Sequence, residues 1–134
     1  MSLPGKSNDR MPVFQIGGLT FGIVICNDSN YPEPARVMAS QGATVLFIPT
    51  NNGLPPEKAD VASDARSVDI ALAIENKVCV VRADVAGRAD GLVSYGSSGI
   101  IDSYGHVLQS AQELTQGLIV ADLDVSRTAS MAMR

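Results

Sequence analysis

Tryptophan is absent from this 134-residue sequence, and histidine occurs once, as His106. One histidine cannot build a histidine-rich metal site, and it leaves a single candidate partner for any reactive thiol. Cysteine is nearly as scarce. Cys26 and Cys79 are the only two; they have no CxxC spacing and no second pair to complete a zinc site, so no metal is expected. Basic residues are in deficit, with 10 Lys and Arg against 14 Asp and Glu and a net charge of −4. An acidic surface attracts neither nucleic acid nor an anionic membrane, so neither is expected as a partner. There is no apolar run long enough to span a bilayer and no apolar signal core near the N-terminus. The expectation is a reduced, cytoplasmic protein with free thiols.

What is present is the composition of a globular domain: 46% hydrophobic and 18% charged residues. The length fits one domain, large enough to bury about two-thirds of the surface that the unfolded chain exposes. Met1-Ser2-Leu3 is read as a leader, and residues 1–12 as that leader plus a loop into the fold. Val13 to Ile16, Gly17-Gly18 and Leu19 to Cys26 read as a hairpin whose second arm is almost continuously apolar, as in a buried strand. Asn30 then caps a helix, with Glu33 as its capping-box partner and Pro32 in the first turn, ending near Gln41 before Gly42. Ala43 to Pro49 is a second buried strand, and Thr50 to Pro56 a loop rich in turn residues.

A long helix is predicted from Glu57 or Asp60 to Asn76, with Val61, Ala65, Val68, Leu72 and Ala73 near one face. Val78 to Ala83 is a third strand, and Asp84 to Tyr95 a glycine-bearing loop. Ser98 to Asp102 and His106 to Gln109 form a second hairpin, and Leu118 to Leu123 the last strand. The fold class is therefore α/β. The hairpins exclude a purely parallel sheet, so a mixed sheet with helices on one face is expected, its other face needing cover.

Cys26 stands where a buried strand meets a polar turn ahead of a helix. The strand fixes the backbone, the turn exposes the sulfur, and nearby N–H groups can favour a thiolate and hold an oxyanion. From geometry alone, an inert core thiol remains the competing reading.

The run Gly22-Ile23-Val24-Ile25-Cys26-Asn27-Asp28-Ser29-Asn30-Tyr31-Pro32-Glu33, then Ala35-Arg36, then Gln41 to Pro49, resembles the nucleophile region of the nitrilase superfamily of carbon–nitrogen hydrolases. Ala65-Arg66 through Glu75-Asn76 is similar to that family's Arg-Ala-x-Glu-Asn helix. Gly96 to Gly105 is similar to its Gly-x-Ser-x-Ile-Ile-Asp-Pro-x-Gly hairpin. The three stretches occur in family order and cover nearly all of the chain from Phe14 to Asp124.

The resemblance implies part of an αββα sandwich, with residues 13–124 as the C-terminal half of a hydrolase domain and 125–134 as a tail. It implies Cys26 as the nucleophile, the backbone N–H of Asn27 facing the oxyanion, a small amide or carbamoyl substrate, no cofactor, and a homo-oligomer. The Asn27-Asp28 pair is somewhat like the carbamoyl amidohydrolase branch, so amidase or carbamoylase chemistry is favoured over nitrile hydrolysis. The family's general-base Glu and oxyanion Lys lie farther upstream of the Cys than this sequence extends, and Lys6 sits in a non-matching stretch. The chain is therefore expected to be truncated and inactive alone. The alternative is a non-catalytic assembly module that kept the fold.

Glu33 either positions the active-site turn or is a helix N-terminal acid favoured by the dipole. Asn51 and Asn52 either contact substrate or serve turn chemistry. Arg82, Asp84 and Arg88 are candidates for setting substrate polarity. Cys79 is expected to be a packed core thiol and His106 a solvated strand residue.

Overall fold

A computed structural model describes residues 11–126 of the protein. The leader expected at residues 1–12 lies outside them except for its last two residues, as does the expected tail beyond Ser126. Strands β1 (Val13–Ile16) and β2 (Leu19–Ile23) form the first hairpin, in register from Val13 opposite Gly22 to Ile16 opposite Leu19. Gly17 makes its turn at φ +56°, which glycine adopts without a Cβ penalty. Helix α1 (Pro32–Ser40) leads to β3 (Val45–Thr50), and helix α2 (Ala59–Asn76) leads to β4 (Cys79–Asp84). Each helix is a crossover, so β2, β3 and β4 run parallel. A small hairpin, β5 (Ala86–Ala89) and β6 (Leu92–Tyr95), precedes β7 (Gly99–Ile101) and β8 (Val107–Ser110). The main sheet has the order β1-β2-β3-β4-β7-β8. It is mixed, as expected.

Both helices lie on one face, α1 against β2 and α2, and α2 against β4 and β7. Strand alternation decides which residues meet them. Leu46, Val80 and Ile101 are register partners across β3, β4 and β7, and all three are fully buried with Leu72 and Ala73 of α2. Each such aliphatic side chain contributes roughly 1.5–3 kcal/mol by leaving water. Gly22 shares this face, where a Cβ would run into the Met38 thioether of α1. The alternate residues point the other way. There Phe14, Phe21 and Phe47 form an aromatic row with ring centroids 5.6 and 5.4 Å apart. Phe14, Ile23 and Phe47 remain substantially exposed on this second face. No described helix is long and apolar enough to cross a membrane.

Four expectations are corrected. The strand predicted to reach Cys26 ends at Ile23, although the Val24 N–H still donates to the Phe47 carbonyl at 2.9 Å. The capping box does not form: Tyr31 is the N-cap without a side-chain bond, the Asn30 amide donates to Asn27, and Glu33 pairs with Arg36. The segment Asp84–Tyr95 is not a loop but mostly the β5–β6 hairpin, turning at Asp90 (φ +53°) and Gly91 (φ +77°). Two positive φ angles on an Asp-Gly pair are the signature of a type I′ turn, which matches strand twist. Leu118–Leu123 forms no strand among the described residues, and Leu118 and Val120 are 88% and 69% exposed. An apolar run becomes a strand only where a neighbour pairs its backbone, and none does here.

Gly99 gives the fold a testable pin. The guanidinium of Arg66 lies where a Cβ on Gly99 would be, and Arg66 Nη2 donates to the carbonyls of Ser97 (3.1 Å) and Ser98 (2.9 Å). Gly99→Ala is expected to destabilise the protein by about 1–3 kcal/mol through overpacking. Urea unfolding reads the change; an unmoved midpoint would show that Arg66 does not occupy that space.

Candidate active site around Cys26

Strand β2 delivers the chain through buried Val24 to Cys26, the first residue of a 3-10 turn over Cys26–Asn30. Cys26 has φ +49°. For a residue with a Cβ this left-handed backbone costs roughly 1–2 kcal/mol, so the surroundings must hold it. They do so with hydrogen bonds. The Ser29 hydroxyl donates to the Cys26 carbonyl at 2.7 Å, and the Asp28 N–H donates to the Ile25 carbonyl at 3.0 Å. Ser29 is buried although it is polar, and the Arg82 guanidinium donates to its oxygen at 3.2 Å.

The thiol is half-buried, and its Sγ donates to the side-chain oxygen of Asn52 at 3.3 Å. A cavity of about 380 Å³ opens beside it, lined among others by Cys26, Asn27, Asn52, Leu54, Asp64 and Arg82. Most of these groups are polar, which suits a small polar ligand more than a lipid or a long apolar chain. A larger cavity of about 690 Å³ lies between β4, β7 and residues 111–119. Cys26 does not line it.

Of the candidate residues, Cys26, Asn27, Asn52 and Arg82 come together at one cavity. Asn51 does not join them. Its side-chain oxygen accepts from the Ser94 hydroxyl at 3.2 Å, and it faces a separate cavity with Arg88 and the β5–β6 hairpin. Glu33 is exposed and held by Arg36 at 2.8 and 2.7 Å, away from the cavity lining. Asp84 accepts from the Ser97 N–H and hydroxyl on Oδ2 at 2.8 and 2.7 Å, while its buried Oδ1 has no hydrogen-bond partner among the described residues and the residue lines the larger cavity, not that of Cys26. His106 is exposed in the β7–β8 turn, where it pairs with Asp102 at 3.1 Å. Among the described residues there is no cluster of three His, Cys, Asp or Glu side chains fit to hold a metal ion.

Sequence reasoning missed the polar floor of the site. Arg82, a candidate for setting substrate polarity, lines the Cys26 cavity, and its guanidinium is bonded to buried partners. Nε and Nη2 reach the two Asp69 oxygens at 2.6–3.1 Å, and Nη1 donates to the Thr50 hydroxyl at 2.8 Å. Arg66 adds a second cation to Asp69 at 3.3 Å. Burial lowers the pKa of Arg66; the Asp69 charge opposes this and the Arg82 charge adds to it. The pair was visible in the pattern. Asp69 lies four residues after Ala65 and three before Leu72 on the buried face of α2, and Arg82 lies two after Val80 on the inward side of β4. An acid and a base on two core-facing stripes must find each other.

Cys79 is the contrast to Cys26. It is fully buried, and burial pushes its thiol pKa up; the Asp102 and Asp124 charges add to this and a backbone hydrogen bond from Ser103 opposes it. Native Cys79 is therefore expected to stay unmodified under alkylation that modifies Cys26 to completion, read by peptide mass spectrometry. Equal labelling of the two would contradict this placement.

A model of the carbon–nitrogen hydrolase family matches residues 1–133. A nitrilase of Pyrococcus abyssi is 37% identical over 122 residues, covering 91% of this chain and 43% of its own. An N-carbamoylputrescine amidase of Arabidopsis thaliana is 30% identical over 137 residues, covering 95% of this chain and 45% of its own. A solved structure of a mutant amidase from Nesterenkonia sp. AN1, with acrylamide added to its active site cysteine, matches with a TM-score of 0.72 at 28% identity. That match covers 91% of this chain and 47% of the amidase. The chain thus spans less than half the length of these relatives.

Proposed function

Because the chain belongs to the carbon–nitrogen hydrolase family, we propose that it carries the nucleophile segment of an amidase or carbamoyl amidohydrolase, with Cys26 as the attacking group. One observation carries the proposal: a non-glycine residue in a left-handed backbone, with a half-buried thiol, at the wall of a small polar cavity. Strain of that kind persists where surrounding contacts over-determine it, and it concentrates at working sites. The amidases among the relatives support an amide or carbamoyl substrate. So does the acrylamide adduct on the Nesterenkonia amidase, which puts a reactive cysteine in a relative of the same fold.

The chemistry runs in two halves. Sγ, having lost its proton, attacks the substrate carbonyl carbon, and the carbonyl electrons move to oxygen. The oxyanion then collapses, the C–N bond breaks, and nitrogen leaves with a proton as ammonia or an amine. The Cys26 thioester is cleaved by water, which returns the thiol and releases the acid. The Asn27 N–H is the proposed oxyanion donor, fixed in direction by the Cys26 turn. Asn52 holds the thiol's rotamer through the S–H bond.

The family's glutamate and lysine have no counterpart among the described residues at this cavity, where Asp64 is the only carboxylate. Groups that act as a unit lose orders of magnitude when partners are missing. Residues 11–126 alone are therefore expected to alkylate but not to turn over an amide.

The test is the rate of acrylamide addition at neutral pH. Cys26 is expected to react faster than glutathione despite its partial burial. A Cys26 rate at or below that of glutathione would favour the assembly-module reading.

A further inference from the structure

Burying an ion pair gains a fold little. The cost of desolvating both charges roughly cancels their attraction, and apolar side chains of the same volume are often as stabilising. Yet Asp69 is 0% exposed and Arg82 3% exposed, in a face otherwise packed with Leu46, Ile48, Val80 and Leu72. The pair must be explained by where its remaining hydrogen bonds go. Arg82 spends Nε and one Nη2 proton on Asp69. Nη1 reaches Thr50 at the end of β3 at 2.8 Å, and the second Nη2 proton reaches Ser29 in the 3-10 turn at 3.2 Å. Ser29 has one proton of its own. Because its oxygen already accepts from Arg82, that proton is aimed elsewhere, and it meets the Cys26 carbonyl at 2.7 Å.

Resting on Cys26 as the nucleophile, we propose that Asp69, Arg82 and Ser29 form a positioning chain that holds Cys26 in its left-handed backbone and so aims the thiol and the Asn27 N–H together. The chain joins α2, β4 and the turn, three elements separated in sequence. Asp69 orients the guanidinium, the guanidinium orients the serine hydroxyl, and the hydroxyl fixes the peptide that follows the thiol. None of the three side chains is assigned contact with substrate. They are positioning residues. Arginine is the residue type this role needs, since only a planar fork bonds one carboxylate and two hydroxyls in fixed directions.

The experiment measures acrylamide addition at Cys26 in wild type, Ser29→Ala, Ser29→Thr and Arg82→Lys, with a thermal melt of each. Ser29→Ala removes the last link without touching a charge. It is expected to slow Cys26 modification about tenfold, as loss of alignment at a reacting atom does, while the melt shows a folded protein. Ser29→Thr, which restores the hydroxyl, recovers most of the rate. Arg82→Lys keeps the charge but loses the fork, and slows Cys26 as Ser29→Ala does. Ser29→Ala reacting at the wild-type rate overturns the proposal and leaves the nucleophile assignment standing. Slowing that Ser29→Thr fails to relieve also overturns it, since packing and not the hydroxyl would then matter. A wild-type Cys26 no faster than glutathione removes the nucleophile assignment itself, which is a separate outcome.

Discussion

Asp69→Asn lowers the unfolding free energy by about 3–5 kcal/mol, because it strips the counter-ion from a buried arginine while leaving the arginine in place. The asparagine is nearly isosteric and still offers one acceptor, so packing changes little. What is lost is the charge between Arg66 and Arg82. A domain of this kind has about 5–15 kcal/mol in total, so the loss is a large fraction of the whole. Urea unfolding followed by circular dichroism measures it. A shift below about 1 kcal/mol would mean that solvent screens the pair, as it does for exposed pairs. A double replacement, Asp69→Leu with Arg82→Met, is expected to return most of the stability while leaving Cys26 poorly aligned. The two halves of that result separate what the pair does for the fold from what it does for the site.

Cys26→Ala removes the proposed attacking atom, so it is expected to lower amide turnover by about 10⁴-fold or more in any form of the protein that hydrolyses an amide. The fold should tolerate the change. Cys26 is only half-buried, and its side chain has a single hydrogen bond, to Asn52. Alanine also keeps the backbone, so the left-handed strain is unchanged and the melt should stay within a few degrees. Cys79→Ala is the inverse case. It opens a small void in a fully buried site and is expected to cost stability with no specific loss of rate. If Cys26→Ala retained turnover, the sulfur would not be the nucleophile.

Much of the fold was legible because local chemistry and global pairing agreed. Gly17-Gly18 between two apolar runs marked the first hairpin, and Val45–Thr50 and Cys79–Asp84 were continuous enough to read as central strands. Helix α2 showed its buried stripe through Ala65, Leu72 and Ala73. The β5–β6 hairpin was signalled by Asp90-Gly91, but Ala86-Gly87-Arg88-Ala89 contains no β-branched or aromatic residue, and propensity argued for a loop. Leu118–Leu123 failed in the opposite direction: its pattern reads as strand, but pairing depends on a neighbour that no local pattern supplies.

The site divides in the same way. Cys26 and Asn27 stand in the turn after β2 and Asn52 in the loop after β3, where the ends of neighbouring parallel strands converge. Arg82 sits 53 residues from Ser29 and 13 from Asp69. Their meeting follows from the parallel register of β3 and β4, in which Ile48 faces Arg82 and Thr50 faces Asp84. Periodicity shows that Asp69 and Arg82 both face inward; it does not show that a serine of the Cys26 turn completes their bonding.

The central claim is that Cys26 forms the covalent intermediate, and peptide mass spectrometry tests it most directly on a form of the protein that hydrolyses a short primary amide, quenched during turnover. The expected result is an acyl group on Cys26, released by hydroxylamine as a thioester is, with Cys79 unmodified. An acyl group on any other residue, or amide turnover that persists in the Cys26→Ala protein, would contradict it.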